Sequence, residues 1–259
     1  MIALSLTVLL SRCGDKTELR PIKIKVDSLS QIQLLNDSLV KPIIYTGVTG
    51  LEKQPVDLAK KMFLAVILPA VLIAKHHVWQ EREKLLIIKA KRRWNNKDST
   101  YYHDLKLQYK ASDIENLLKR MMTLPNSIVL AQAAMESGWG QSRFFREGNN
   151  VFGIWSYNRN EPRLKASVKR PNAVVHVRAY KDISHSVYDY FKTLGKANAY
   201  RELRTALQET NDPLVLLPHL KYYSEKRLGY VNRLKILIEQ NNLTQYDNYR
   251  IDPSYFASP

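Results

Sequence analysis

One carboxyl is singled out by its setting: Glu136, within NSIVLAQAAMESGWGQSRFFREGNNVFGIW at residues 126–155. Ile128, Ala131 and Met135 recur at helical spacing, which predicts one buried stripe and brings Glu136 to the helix end. Gly138 supplies the stop, because glycine takes the left-handed conformation past a helix terminus without strain. The last turn is the negative end of the helix dipole, and Trp139 sets a large apolar ring beside it; both disfavour ionisation. A carboxyl held protonated near neutral pH can act as a general acid. On pattern alone, the other reading is a solvated glutamate beside a core of Trp139, Phe144, Phe145, Phe152 and Trp155.

The wording of the segment narrows the choice. AQAAMESGWGQS followed by NNVFGIW resembles the glucosaminidase-type peptidoglycan hydrolases, with their mannosyl-glycoprotein endo-β-N-acetylglucosaminidase-like domain, and among them the bacterial Bax-type proteins. The resemblance extends over about residues 58–244 and includes AYRELR and YYSEKRLGYVNRL. It implies an α+β, mainly helical, lysozyme-like two-lobe domain, with a small antiparallel β-hairpin lobe facing the helical lobe across a sugar cleft. It implies cleavage of the β-1,4 glycan of peptidoglycan after N-acetylglucosamine, with Glu136 as the acid and Asn149, Asn150, Phe152 and Gly153 lining the cleft. Tyr223-Ser224 followed by Tyr230 matches a tyrosine motif of the family, so Tyr223 is implied in the chemistry and Tyr230 in binding.

Glycoside hydrolysis usually takes two carboxyl groups. The family's hairpin glutamate has no clear counterpart here: Glu161 and Asp182 are available, Glu161 is the choice, and His185 stands where relatives often carry Glu. A sugar with a 2-acetamido group can supply its own nucleophile, so a missing second carboxylate does not remove the activity. Trp139, Phe152 and Trp155 are candidates for stacking on sugar faces, and Asn149 and Asn150 for hydrogen bonds to acetamido groups. A muramidase or lytic transglycosylase on the same fold, or a non-catalytic wall-binding protein, remains as the alternative.

With 40 Lys and Arg against 24 Asp and Glu, the 259-residue chain carries a formal charge of +16, which points to a polyanionic partner such as a cell wall. The basic residues are spread along the chain and no zinc-finger or RNA-binding motif accompanies them, so nucleic acid is not expected. The single cysteine, Cys13, excludes an intramolecular disulfide and any cysteine-based metal cluster. His76 and His77 lack metal-ligand spacing, and neither metal nor organic cofactor is implied. Residues 1–13 end in Arg-Cys after a short apolar run, resembling the signal and lipid-attachment cysteine of a lipoprotein, although Arg12 stands where a small residue is usual. Export to the periplasm or cell envelope, with possible membrane anchoring through Cys13, is the expectation.

The elements that must position the site follow from the remaining pattern. Residues 14–54 predict a tether or loosely packed arm, 55–244 the hydrolase domain, and 245–259 a surface extension. A helix opens at Pro55 and Asp57 and runs past Pro69, where a kink is expected. Its thirteen apolar residues from Met62 to Ala74 fall short of the roughly 20 a membrane span needs. Residues 91–110 predict a basic loop with an edge of extended structure. Ser112 with Glu115 forms a capping box for a short helix, AVVHVRAY alternates as a strand, and Ser184 and Gly195 bound an amphipathic helix.

Overall fold

The computed structural model describes residues 18–170 and 173–257. The expected leader and Cys13 lie outside the described residues. The central element is helix α1, Val56–Ala90. Every residue from Phe63 to Leu72 is buried, so this stretch of the helix has no amphipathic stripe to find: other elements cover it all round. It remains helical through Pro69, whose ring removes one backbone donor without ending the helix. Among the described residues, no helix is long and apolar enough to cross a membrane.

The arm before α1 is not loosely packed. Strands β1, Ile22–Lys25, and β3, Ile43–Thr46, pair in parallel with Ile22 opposite Ile43. Tyr45, 1% exposed, joins the core with Val26, Ile32, Val40, Val48 and Leu51. Its hydroxyl accepts from the Gln33 N–H at 3.0 Å. Scattered polar residues made this segment read as a tether; what folds it down is burial of one apolar face on α1.

The basic stretch predicted as a loop is instead helix α2, Asn96–Tyr109. Asn95 accepts from the Asp98 N–H while Asp98 reaches back to Asn95, a reciprocal cap that starts the helix. Leu105 and Tyr109 bury its inner face. Helix α3, Ile114–Arg120, is capped by Asp113 rather than Ser112, and Ser112 donates to Asp113.

Helix α4, Asn126–Ser137, carries Glu136. It too is enclosed beyond one stripe, with Asn126–Ala134 and Ser137 all buried. Helix α5, Arg143–Gly148, follows. The β-hairpin pairs β4, Arg163–Arg170, antiparallel with β5, Ala173–Arg178, as the alternation of 173–180 predicts, and Trp155 bridges to Val177. Helix α6, Ile183–Lys196, is capped by Asp182, which accepts from the His185 N–H. Ser184 is not its cap, and Gly195 lies inside the helix rather than beyond it. Helices α7, Arg201–Ala206, and α8, Pro213–Leu216, lead through a 3-10 turn at Leu217–Tyr223 into α9, Leu228–Gln240.

The tail is built into the domain. Residues Arg250–Ile251 form β6, which pairs in parallel with β2, Leu39–Val40. Asp247 accepts from both the N–H and the hydroxyl of Ser127, at 2.7 and 2.8 Å. Pro125 offers α4 no side-chain cap, so a carboxylate from far along the chain serves as one, favoured by the positive end of the helix dipole. Asp247→Ala should cost about 1–2 kcal/mol of stability, read as a lower urea midpoint at unchanged slope.

Candidate active site

Glu136 sits in the last turn of α4. The Gly138 backbone, at φ 59°, closes the helix, and Trp139 and Gly140 continue in the left-handed region at φ 57° and 82°. Three successive residues of this hand reverse the chain at once and bring Ser137 back beneath the turn, where its hydroxyl accepts from the Gly140 N–H at 2.9 Å. The Trp139 indole stands edge-on to Phe63, with centroids 5.5 Å apart, and the Lys60 ammonium lies 5.2 Å over it.

The carboxyl itself is partly buried. Its Oε1 accepts a hydrogen bond from the Tyr230 hydroxyl at 2.9 Å. Burial raises its pKa above the ordinary glutamate range, and the Tyr230 bond, which favours the ionised form, only partly offsets that. Desolvation therefore dominates, as the apolar neighbourhood suggested.

A relay fixes the direction of that bond. Gln132 donates through Nε2 to the Tyr230 oxygen at 2.9 Å, so the Tyr230 proton is turned toward Glu136. Tyr190 donates to Gln132 Oε1, which sets the amide the right way round. Phe152 stacks on Tyr190 at 4.1 Å and 16°, locking the far end. Gln132 precedes Glu136 by one helical turn, a spacing that could have marked it as a same-face partner. Tyr190 was legible only as part of a buried helix face.

Tyr223 stacks on Tyr230, centroids 5.5 Å apart and 15° between planes. Burial first, and then the closeness of Tyr230 and Glu136, raises its pKa well above normal, so its hydroxyl stays protonated. Tyr230, through its bond to Oε1, positions the carboxyl. Tyr230→Phe should raise the Glu136 pKa further, because a bond to the ionised form is lost. Carbon-detected titration of the Glu136 carboxyl reads that shift.

The NNVFG segment has a structural task. Asn149, left-handed at φ 50°, ends α5 and donates to the Tyr180 carbonyl at 2.9 Å. Asn150, 1% exposed, donates to the Ile154 and Arg178 carbonyls and accepts from the Ile154 N–H. Its amide is occupied within the fold rather than presented to a ligand. Phe152 is core, at 4% exposure, and Gly153 takes φ 64°. Trp155, 39% exposed, lies near Tyr157 with centroids 6.2 Å apart.

Neither candidate for a second carboxylate joins Glu136 in a hydrogen-bonded pair. Glu161 pairs with Arg178 at 3.2 Å, and the same guanidinium pairs with Asp189 at 2.6 Å. Asp182 caps α6. Burial raises its pKa, but hydrogen bonds from His185 and Ser184 more than offset that and leave it at about 2. Among the described residues, no group of three or more His, Cys, Asp or Glu gathers as a metal site.

A model of the glucosaminidase family, described as mannosyl-glycoprotein endo-beta-N-acetylglucosaminidase, matches residues 111–243. That span holds Glu136, its relay and both tyrosines, and it makes the protein a glycoside hydrolase. The chain belongs to the glucosaminidase family. It is 26% identical over 196 residues to Protein bax of Escherichia coli (strain K12), covering 70% of this chain and 69% of that one. With Exo-glucosaminidase LytG of Bacillus subtilis (strain 168) it shares 26% over 157 residues, 53% of this chain and 50% of the relative. Among solved structures, the catalytic domain of the autolysin Auto from Listeria monocytogenes matches with a TM-score of 0.40 at 24% identity, covering 62% of this chain and 93% of that one.

Proposed function

We propose that this protein cleaves the β-1,4 glycan of peptidoglycan after N-acetylglucosamine, with Glu136 as the general acid. The observation that carries the reading is the partly buried Glu136 carboxyl with its pKa raised, held at 2.9 Å by Tyr230. A protonated carboxyl on a fixed helix end can hand its proton to the leaving glycosidic oxygen. Trp139 and Trp155 offer ring faces to the sugars, and Tyr223 offers a protonated hydroxyl for the acetamido group or the attacking water. Glu161 is tied to Arg178, which favours the substrate's own acetamido group as the internal nucleophile. The +16 charge holds the enzyme on an anionic wall, so activity falls as salt rises. Action outside the cytoplasm, in the cell envelope, belongs to the same proposal.

Digestion of purified peptidoglycan, with products reduced and their ends identified by mass spectrometry, tests it. Reduced N-acetylglucosamine ends are expected. Muramic or anhydromuramic ends would transfer the assignment to the neighbouring bond, and no release would leave a wall-binding protein. If Glu161→Gln lost as much activity as Glu136→Gln, Glu161 would take the second catalytic role.

A further inference from the structure

A cavity of about 650 Å³ lies beside α3 and α7, and none of its lining residues belongs to the Glu136 relay. Four cations line it, Lys119, Arg120, Arg201 and Arg204, against one acid, Glu202. Glu202 is turned elsewhere, 3.7 Å from His219 and 3.9 Å from Lys221. Among the described residues, no carboxylate comes within ion-pair distance of any of the four cations.

The two inner guanidiniums hold the end of α6. Arg204, 7% exposed, donates through Nη1 to the Leu194 and Ala197 carbonyls at 2.9 and 2.8 Å. Arg120 donates to the Gly195 and Lys196 carbonyls at 3.3 and 2.9 Å. A helix C-terminus supplies only about half a negative charge, so two whole positive charges there are under-compensated, and the rim adds two more. Burial, then repulsion from Arg120 and Arg201, brings the Arg204 pKa down to about 10. Both bonds of Arg204 use Nη1; Nε and Nη2 give none to a described residue. That edge of a guanidinium is a planar fork matched to an oxyanion.

We propose that this cavity binds an oxyanion, a carboxylate or phosphate carried on a larger molecule, through Arg204, Arg201 and Lys119. Tyr222 lines the same cavity and is followed by Tyr223, whose ring lies against Tyr230. One short turn therefore touches both places. The binding stands apart from the glycosidase reading; only the source of the anion rests on it. Under that reading the source is a stem-peptide carboxylate, and the other source is the phosphate of a wall or membrane polymer.

The test uses the full chain, titrated with inorganic phosphate and with glutarate against chloride at equal ionic strength, following the thermal midpoint. A ligand bound only by the folded state raises that midpoint. Both probes should raise it in the parent, and Arg201→Gln/Lys119→Gln, at two exposed positions, should weaken the response more than about tenfold, since two charge-assisted bonds are lost. Arg204→Gln should abolish it if that variant folds; the double variant carries the test either way. An unchanged response in the double variant overturns the proposal. Sedimentation with peptidoglycan before and after stem-peptide removal, and with a phosphate polymer, then assigns the source. In a Glu136→Gln background the wall stays intact. Loss in the double variant on peptide-bearing wall alone identifies the carboxylate, loss on the phosphate polymer alone identifies the phosphate, and loss on neither overturns the proposal. A parent that binds both probes yet releases no sugar ends would sink the glycosidase reading and leave the anion site standing.

Discussion

Glu136→Gln should reduce glycan cleavage by about 10²–10⁴-fold, the usual range for a positioned general acid, while leaving the folded protein at least as stable at neutral pH. Gln keeps the shape and can still accept from Tyr230 through its amide oxygen, but it has no acidic proton to give. The stability half follows from linkage. The folded-state pKa of Glu136 lies above the ordinary value of 4.5, so between those two values the native state holds more protons than the unfolded chain. Stability from this group is complete below 4.5 and is lost as pH rises through the raised value. Gln has nothing to lose. The stability difference between Gln variant and parent should therefore grow in the variant's favour across that window and then level, which urea unfolding at a series of pH values measures. A variant destabilised at pH 7 would mean that the carboxylate is favourably paired in the fold, and the raised pKa would be wrong.

Gly195→Ala should be the most damaging small substitution in the helical lobe, at about 3 kcal/mol. A Cβ at Gly195 would overlap the Arg120 carbonyl oxygen and come within 3.1 Å of the Tyr109 ring. The first obstacle is backbone, which cannot rotate away. The Gly195 and Lys196 carbonyls in turn anchor the Arg120 guanidinium, so separating α6 from α3 also loosens those bonds. Gly138 makes an instructive contrast. It has open space around its Cβ position but sits at φ +59°, so Ala there should cost only about 1–2 kcal/mol of conformational strain. A urea series on the two variants that ranked them in the reverse order would contradict this account.

How much could be read from the chain alone varied with the kind of physics involved. The α4 stop at Gly138, the raised Glu136 carboxyl and the β5 strand were legible because each depends on neighbours in sequence. The N-terminal arm and the tail were not: Tyr45 and Asp247 acquire their roles only when α1 and α4 are already in place, and nothing nearby marks them. Residues 96–109 failed for a different reason. Their charge density hid an Asn95–Asp98 cap that is written in the sequence. In the site, the aromatic residues were visible as types, but whether one would line a surface or fill the core depended on packing. Phe152 and Asn150 went inward, and Gln132 became the connecting residue.

The left-handed conformation of Trp139 has a consequence for how this site can change over evolutionary time. A bulky side chain at φ 57° works against the backbone's own preference, and such residues persist where surrounding structure over-determines them. Phe63 and Lys60 hold the indole in place. Gly or Asn would hold this backbone at lower cost, so under the proposed function Trp139 is a trade in which a firmer backbone is given up for a ring offered to the sugar. Trp139→Gly should accordingly weaken substrate binding more than it weakens the fold, raising KM with little loss in thermal midpoint.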